Sequence, residues 1–249
     1  MIEVERLTKL YAEFPAVRDL SFHLRAGQIL GLVGPNGAGK TTTLSCLTGV
    51  LRPTSGTIRI SGHDLLTQPI AAKQLLAFVP DEPALFLYLS VEEHLLFASR
   101  LYGVADALER IPPLLEEMEL ADKRRALPGE LSRGMKQKLA LSMGLIHDPR
   151  ALILDEPLTG LDPASIRRTK HTIVARAGAG TAVILSSHLL SLVEELCTHI
   201  LVLQKGRRVA FGTPAEIVAD RPQLAGRGLE EVFLALTAQE EEQGESSAP

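Results

Sequence analysis

Apolar and polar positions along the chain follow three different patterns. Alternation at Ile2, Val4 and Arg6 predicts an opening strand, and Ile58-Arg59-Ile60, behind the turn-forming Pro53-Thr54-Ser55-Gly56, predicts another, so the first part reads as a small sheet. Three short apolar runs, Ile29 to Val33, Ala151 to Leu154 and Ala182 to Leu185, do not alternate; each is too brief for a helix and is bounded by turn or polar residues. Such runs suit central strands buried on both faces. A helix from Lys40 to about Leu51 and another starting after Pro163 would give the strand–helix alternation of a parallel sheet. Between these elements, about 85–148 reads as an inserted helical lobe. Ser90-Val91-Glu92-Glu93 is a capping-box signature, and Leu95, Leu96, Leu101, Leu114, Leu115 and Met118 recur near helical spacing. Ile200 to Leu203 and Arg208 to Phe211 flank Gln204-Lys205-Gly206-Arg207 as a hairpin, and Leu229 to Leu236 predicts one more amphipathic helix.

Composition removes whole classes of function. With 45% hydrophobic and 22% charged residues over 249 positions, the chain is long enough to bury its own core without disulfide or metal. Net charge is −4, and the last twelve residues, Ala238 to Pro249, carry four Glu and no base, so the remainder is neutral and broad nucleic-acid affinity is not indicated. The tail is expected to be disordered. Cys46 and Cys197 stand alone, which supplies neither a metal quartet nor a disulfide framework and fits a reducing, cytoplasmic setting. No apolar run approaches the ~18–20 residues that span a bilayer, so the chain is expected to be neither secreted nor itself transmembrane.

Two motifs carry chemistry. Gly34-Pro35-Asn36-Gly37-Ala38-Gly39-Lys40-Thr41 matches G-x-x-x-x-G-K-[ST], directly behind one predicted strand and directly before one predicted helix. Glycines let successive N–H groups curl around an anion, and the helix N-terminus adds partial positive charge. Lys40 can neutralise terminal phosphate charge, the hydroxyl of Thr41 can ligate Mg²⁺, and Thr42 beside it is a further expected nucleotide contact. Ala151-Leu152-Ile153-Leu154-Asp155-Glu156 then places two carboxylates at the end of a buried strand. Asp155 is the expected metal-side ligand and Glu156 the group that polarises an attacking water.

With these motifs in place, the chain from Ile2 to about Leu236 resembles the ATP-binding subunit of an ABC transporter. Leu131-Ser132-Arg133-Gly134-Met135 looks like the family signature Leu-Ser-Gly-Gly-Gln, 20 residues before Asp155 on the N-terminal side of a helical stretch. Tyr11 resembles the aromatic that stacks on adenine, Leu158-Thr159-Gly160-Leu161-Asp162 the loop that communicates across the dimer, with Asp162 expected among the nucleotide-binding residues, and His188 the switch histidine that reaches the γ-phosphate. The resemblance implies an α/β fold of P-loop NTPase type: a mostly parallel core sheet, an N-terminal antiparallel β subdomain and an inserted α-helical subdomain, with the ATP-binding domain over 1–237. It implies ATP and Mg²⁺ as cofactors. It also implies a head-to-tail dimer, homodimeric or with a related ATPase, in which Ser132 and Gly134 contact the nucleotide of the opposite subunit. Polytopic membrane permease subunits would be the partners, at the cytoplasmic face of the cell membrane. Leu85 to Leu89 offers either partner contacts or ordinary core packing.

Two departures stand out. Pro80-Asp81 replaces the family's Pro-Gln, which would give the metal a hard ligand with an added negative charge. Arg133 and Met135 replace Gly and Gln of the signature, and Arg133 could instead contact nucleotide or partner. These features, with Gly228 to Thr237 at the end, resemble the ABC-2-type exporter subgroup. Two rival functions remain at this level: a soluble ABC ATPase of DNA repair or translation, and a regulatory binder with negligible hydrolysis.

Overall fold

A computed structural model describes residues 1–219, 228 and 230–236. The chain opens with β1 (Ile2–Tyr11) and β2 (Phe14–Leu24), which pair antiparallel and join β4 (Ser55–Ile60) and the short β5 (His63–Asp64) in a four-stranded sheet of order β2-β1-β4-β5. The second sheet contains β3 (Ile29–Val33), β6 (Leu76–Val79), β7 (Ala151–Asp155), β8 (Ala182–Ser186), β9 (His199–Gln204) and β10 (Arg207–Gly212). Its order is β10-β9-β3-β8-β7-β6, parallel throughout except for the β9–β10 hairpin.

The three apolar runs are indeed central strands. Leu152 and Leu154, Val183 and Leu185, and Ile29 and Val33 belong to one buried apolar cluster, whereas Ala151 and Ile153, Ala182 and Ile184, and Leu30 and Leu32 belong to the other. Because strand side chains alternate, each run serves both faces of the sheet, and a polar residue on either face would be stranded.

Of the helices, α1 (Lys40–Leu47) and α2 (Pro69–Gln74) precede β6; α3 (Val91–Tyr102), α4 (Ala107–Glu117) and α5 (Arg133–Leu145) lie between β6 and β7. After β7 come α6 (Pro163–Gly178), α7 (Leu190–Leu196) and α8 (Pro214–Ala219), and a helix spans 230–236. α1 is shorter than its predicted reach to Leu51: the N–H and hydroxyl of Thr48 bond back to Leu44 O and the chain turns at Gly49. α3 carries the predicted capping box, with Glu93 N–H donating to Ser90 Oγ and Ser90 N–H to Glu93 Oε2. Leu95, Leu114, Leu115 and Met118 are buried as the spacing predicts, but Leu101 is exposed at the edge of a surface groove. Residues 237–249, the expected acidic tail among them, lie outside the described residues.

Candidate functional site

Parallel strands bring their C-terminal ends to one edge, and ligands of such sheets bind there where the strand order reverses. β3 lies between β8 and β9, and its C-terminal end feeds the loop Gly34 to Gly39. Gly39 is the N-cap of α1 at φ +102°, and a Cβ there would lie 2.4 Å from Ala16 O, so only glycine fits. No side chain caps α1 and its first turn contains no acid, which leaves its leading N–H groups directed at the loop. The β9–β10 hairpin braces the loop, with Gly206 N–H donating to Ala38 O at 3.0 Å.

One cavity of about 750 Å³ is lined by Tyr11, Asn36, Gly37, Ala38, Gly39, Lys40, Thr41 and Thr42, and by Asp81, Asp155, Glu156 and His188. Four stretches far apart in sequence therefore meet the phosphate loop. Gly34 and Pro35 stand behind the lining, their carbonyl oxygens accepting from Lys40 Nζ at 2.6 and 3.1 Å. Burial pushes the Lys40 amine below its ordinary value, against the pull of the Glu156 and Asp155 carboxylates. Phe14 and Ala16, which sequence reasoning passed over, also line the cavity; their sole signal was nearness to Tyr11 across a tight hairpin.

Asp155 ends β7 opposite Ser186 of β8, whose Oγ donates to Asp155 Oδ1 at 2.5 Å and accepts from Glu156 N–H at 3.0 Å. Ser186 is thus the residue that orients both carboxylate positions, legible only as a hydroxyl where the neighbouring strand ends. Glu156 adopts φ +48°, a left-handed conformation rare for a side-chain-bearing residue, and turns out of the strand toward His188. His188 Nδ1 lies 2.8 Å from Glu156 Oε2. That contact leaves Nε2 as the nitrogen free to face a phosphate. Burial raises the Glu156 carboxyl above the ordinary range, more than His188 lowers it, which improves it as a proton acceptor.

Thr41 hydroxyl, Asp155 and Asp81 supply hard oxygen donors around one cavity, the donor set that suits Mg²⁺ completed by phosphate and water oxygens. Asp81 is also paired: Arg133 Nη2 donates to its Oδ1 at 3.1 Å. The remaining expected residues lie outside this cavity. Ser132 caps α5, accepting from Met135 N–H at 3.2 Å, with Gly134 in the first turn. Asp162 caps α6, accepting from the N–H groups of Ala164 and Ser165 and from Ser165 Oγ, bonds that lower its carboxyl to about 2.

A phosphate loop opening a helix at the switch point, with Asp and Glu ending a buried strand two places away, defines a P-loop ATPase of cassette type. The profile of the ABC transporter family matches residues 17–159, and the chain belongs to that family as an ATP-binding and ATP-hydrolysing subunit. It is 39% identical over 220 residues to Nod factor export ATP-binding protein I of Paraburkholderia xenovorans (strain LB400), a match covering 88% of this chain and 72% of the relative. It is 34% identical over 241 residues to linearmycin resistance ATP-binding protein LnrL of Bacillus subtilis (strain 168), covering 94% and 78%. A solved ATP-binding subunit of an ABC transporter superposes with a TM-score of 0.91 at 34% identity, covering 95% of this chain and 99% of that one. A dimeric post-hydrolysis ATP-binding cassette bound to ADP and Pi shares the fold at 20% identity and a TM-score of 0.78. Among the described residues no helix is long and apolar enough to cross a membrane.

Proposed function

We propose that this chain powers export by binding MgATP in the cavity above, closing on a second ATPase subunit, hydrolysing the nucleotide and passing the motion to polytopic membrane permease subunits at the cytoplasmic face of the membrane. The observation that carries the reading is the convergence of the phosphate loop, Asp155, Glu156 and His188 on one cavity. The names of the relatives, an export and a resistance ATP-binding protein, favour transport over a role in DNA repair or translation.

In this reading the N–H groups of the loop and of α1 hold the phosphates, and Lys40 Nζ leaves the carbonyls of Gly34 and Pro35 to meet them. Bound Mg²⁺ supplies neutralisation of phosphate charge. Ser186 holds Asp155 in place, Glu156 accepts a proton from the attacking water, and His188 Nε2 faces the γ-phosphate. Tyr11 stacks on the base, one of its faces approached by Lys9 Nζ at 5.4 Å. Ser132, Gly134 and Asp162, outside the cavity of their own chain, serve the interface with a second subunit, identical or related.

A groove of about 300 Å³ lined by Pro80, Pro83, Leu85, Phe97, Leu101 and Tyr102 adjoins the Asp81 loop. Leu87 and Tyr88 beside it are 69% and 89% exposed, which favours a docking role over core packing. Purified with its membrane partner, the chain should release phosphate from ATP, and Glu156→Gln should cut that rate by on the order of 10²–10⁴-fold. An unchanged rate would remove Glu156 from the role assigned to it.

A further inference from the structure

The cavity holds three carboxylates, Asp81, Asp155 and Glu156, where a polyanion must bind. Asp155 and Asp81 stand among the donors that suit Mg²⁺ and Glu156 is the proposed base, and where the family pattern has a neutral Gln, Asp81 adds charge that repels phosphate unless something offsets it. The structure supplies the offset from α5. Arg133 Nη2 meets Asp81 Oδ1 at 3.1 Å, and one turn along the same helix Gln137 Nε2 donates to Pro80 O at 3.3 Å. Positions four apart lie on one face of a helix, so α5 grips residue 80 by its backbone and residue 81 by its side chain. The Arg133 arm also crosses Gly160: a Cβ built there would lie 3.0 Å from Arg133 Cδ. Gly160 has φ +78°, so both its backbone and its bare face are used.

We propose that Arg133 is a positioning residue of the ATP site in its own chain, acting through Asp81 to hold that carboxylate and cancel its charge toward the nucleotide. The two departures from the family pattern are then one device: the charge added at residue 81 is answered at residue 133. Both side chains are partly exposed, 55% for Arg133 and 41% for Asp81, so the pair adds little to folding stability and acts on the field in the cavity.

The inference rests on the cavity being the ATP site, and a double-mutant cycle separates the two. Affinity for a fluorescent ATP analogue is measured on the full-length chain, with EDTA and with Mg²⁺, for Arg133→Ala, Asp81→Asn, the double variant and Arg133→Lys, with thermal melts confirming folding. Arg133→Ala should weaken binding about two- to fivefold at low salt, the range of a screened ion pair. The loss should shrink near 1 M salt, Arg133→Lys should recover most of it, and in the Asp81→Asn background Arg133→Ala should change nothing. An equal loss in both backgrounds, as for an Arg acting on the partner subunit's nucleotide, or no loss at all, overturns the proposal. Lys40→Ala run alongside identifies the other failure: if it binds the analogue like the parent, the cavity is not the ATP site.

Discussion

Glu156 shows how much one residue owes to its surroundings. Its backbone is left-handed, its side chain is 19% exposed, and burial raises its carboxyl above the ordinary range. A carboxyl whose folded value is raised favours folding when protonated, and that advantage fades as pH climbs through the raised value. Glu156→Gln should therefore melt higher than the parent at pH 7–8, by roughly 2–4 °C for each kcal/mol recovered, with the gap closing below about pH 4. Melting curves across that span check the sign. In the proposed role of Glu156 as base, which must be ionised to act, the hydrolysis rate should begin to fall, on acidification, at a higher pH than an unperturbed Glu would give. The cysteines test burial directly. Burial raises Cys46 to about 11 and Cys197 to about 12, so neither should react with iodoacetamide at pH 8 in the folded chain, and both should react in denaturant; mass spectrometry after a timed quench reads the result.

Elements set where such residues stand. Helix starts were readable where their signals are local: Ser90 with Glu93 announced α3 and Pro163 announced α6, whereas the cap that Asp162 supplies to α6 emerged only in the structure. Ser90→Ala should cost about 1 kcal/mol in urea unfolding without altering nucleotide affinity. The end of α1 was less readable, since Val50 and Leu51 extend the apolar positions of Leu44 and Leu47 past the point where Thr48 bonds back to Leu44. At the phosphate loop the demand is steric. Gly39→Ala would put a methyl against Ala16 O, and titration should show nucleotide affinity reduced by at least tenfold. Ties between elements remained hidden. Glu119 accepts from Lys138 of α5 at 3.3 Å and from Arg168 of α6 at 2.7 Å, a junction that no local pattern marks.

For the whole molecule, a sheet packed on both faces fixes the edge at which β3, β7 and β8 end, and thus where the cavity beside their loops lies. A ligand held there stabilises the folded chain by RT ln(1 + [L]/Kd), about 2.7 kcal/mol at a hundredfold excess over Kd. MgATP should accordingly raise the melting temperature of Glu156→Gln, and Lys40→Ala should abolish the rise; scanning calorimetry measures both. Replacing Leu87 and Tyr88 by Ser should leave that shift intact while releasing the subunit from its membrane partner in co-purification.

The chain's own order of residues determined its class: apolar runs too short for helices specified buried strands, and the spacing from Gly34 to Thr41 and from Asp155 to Glu156 specified a phosphate cradle with its carboxylates, because turn chemistry and periodicity act over a few positions. Tertiary structure decided what those groups do to one another. Ser186 steadies Asp155, His188 faces Glu156, and Arg133 answers Asp81 across 52 positions. Such pairings depend on which strand lies beside which and on how helices fold back over the sheet, and long-range packing leaves no periodic trace in the sequence.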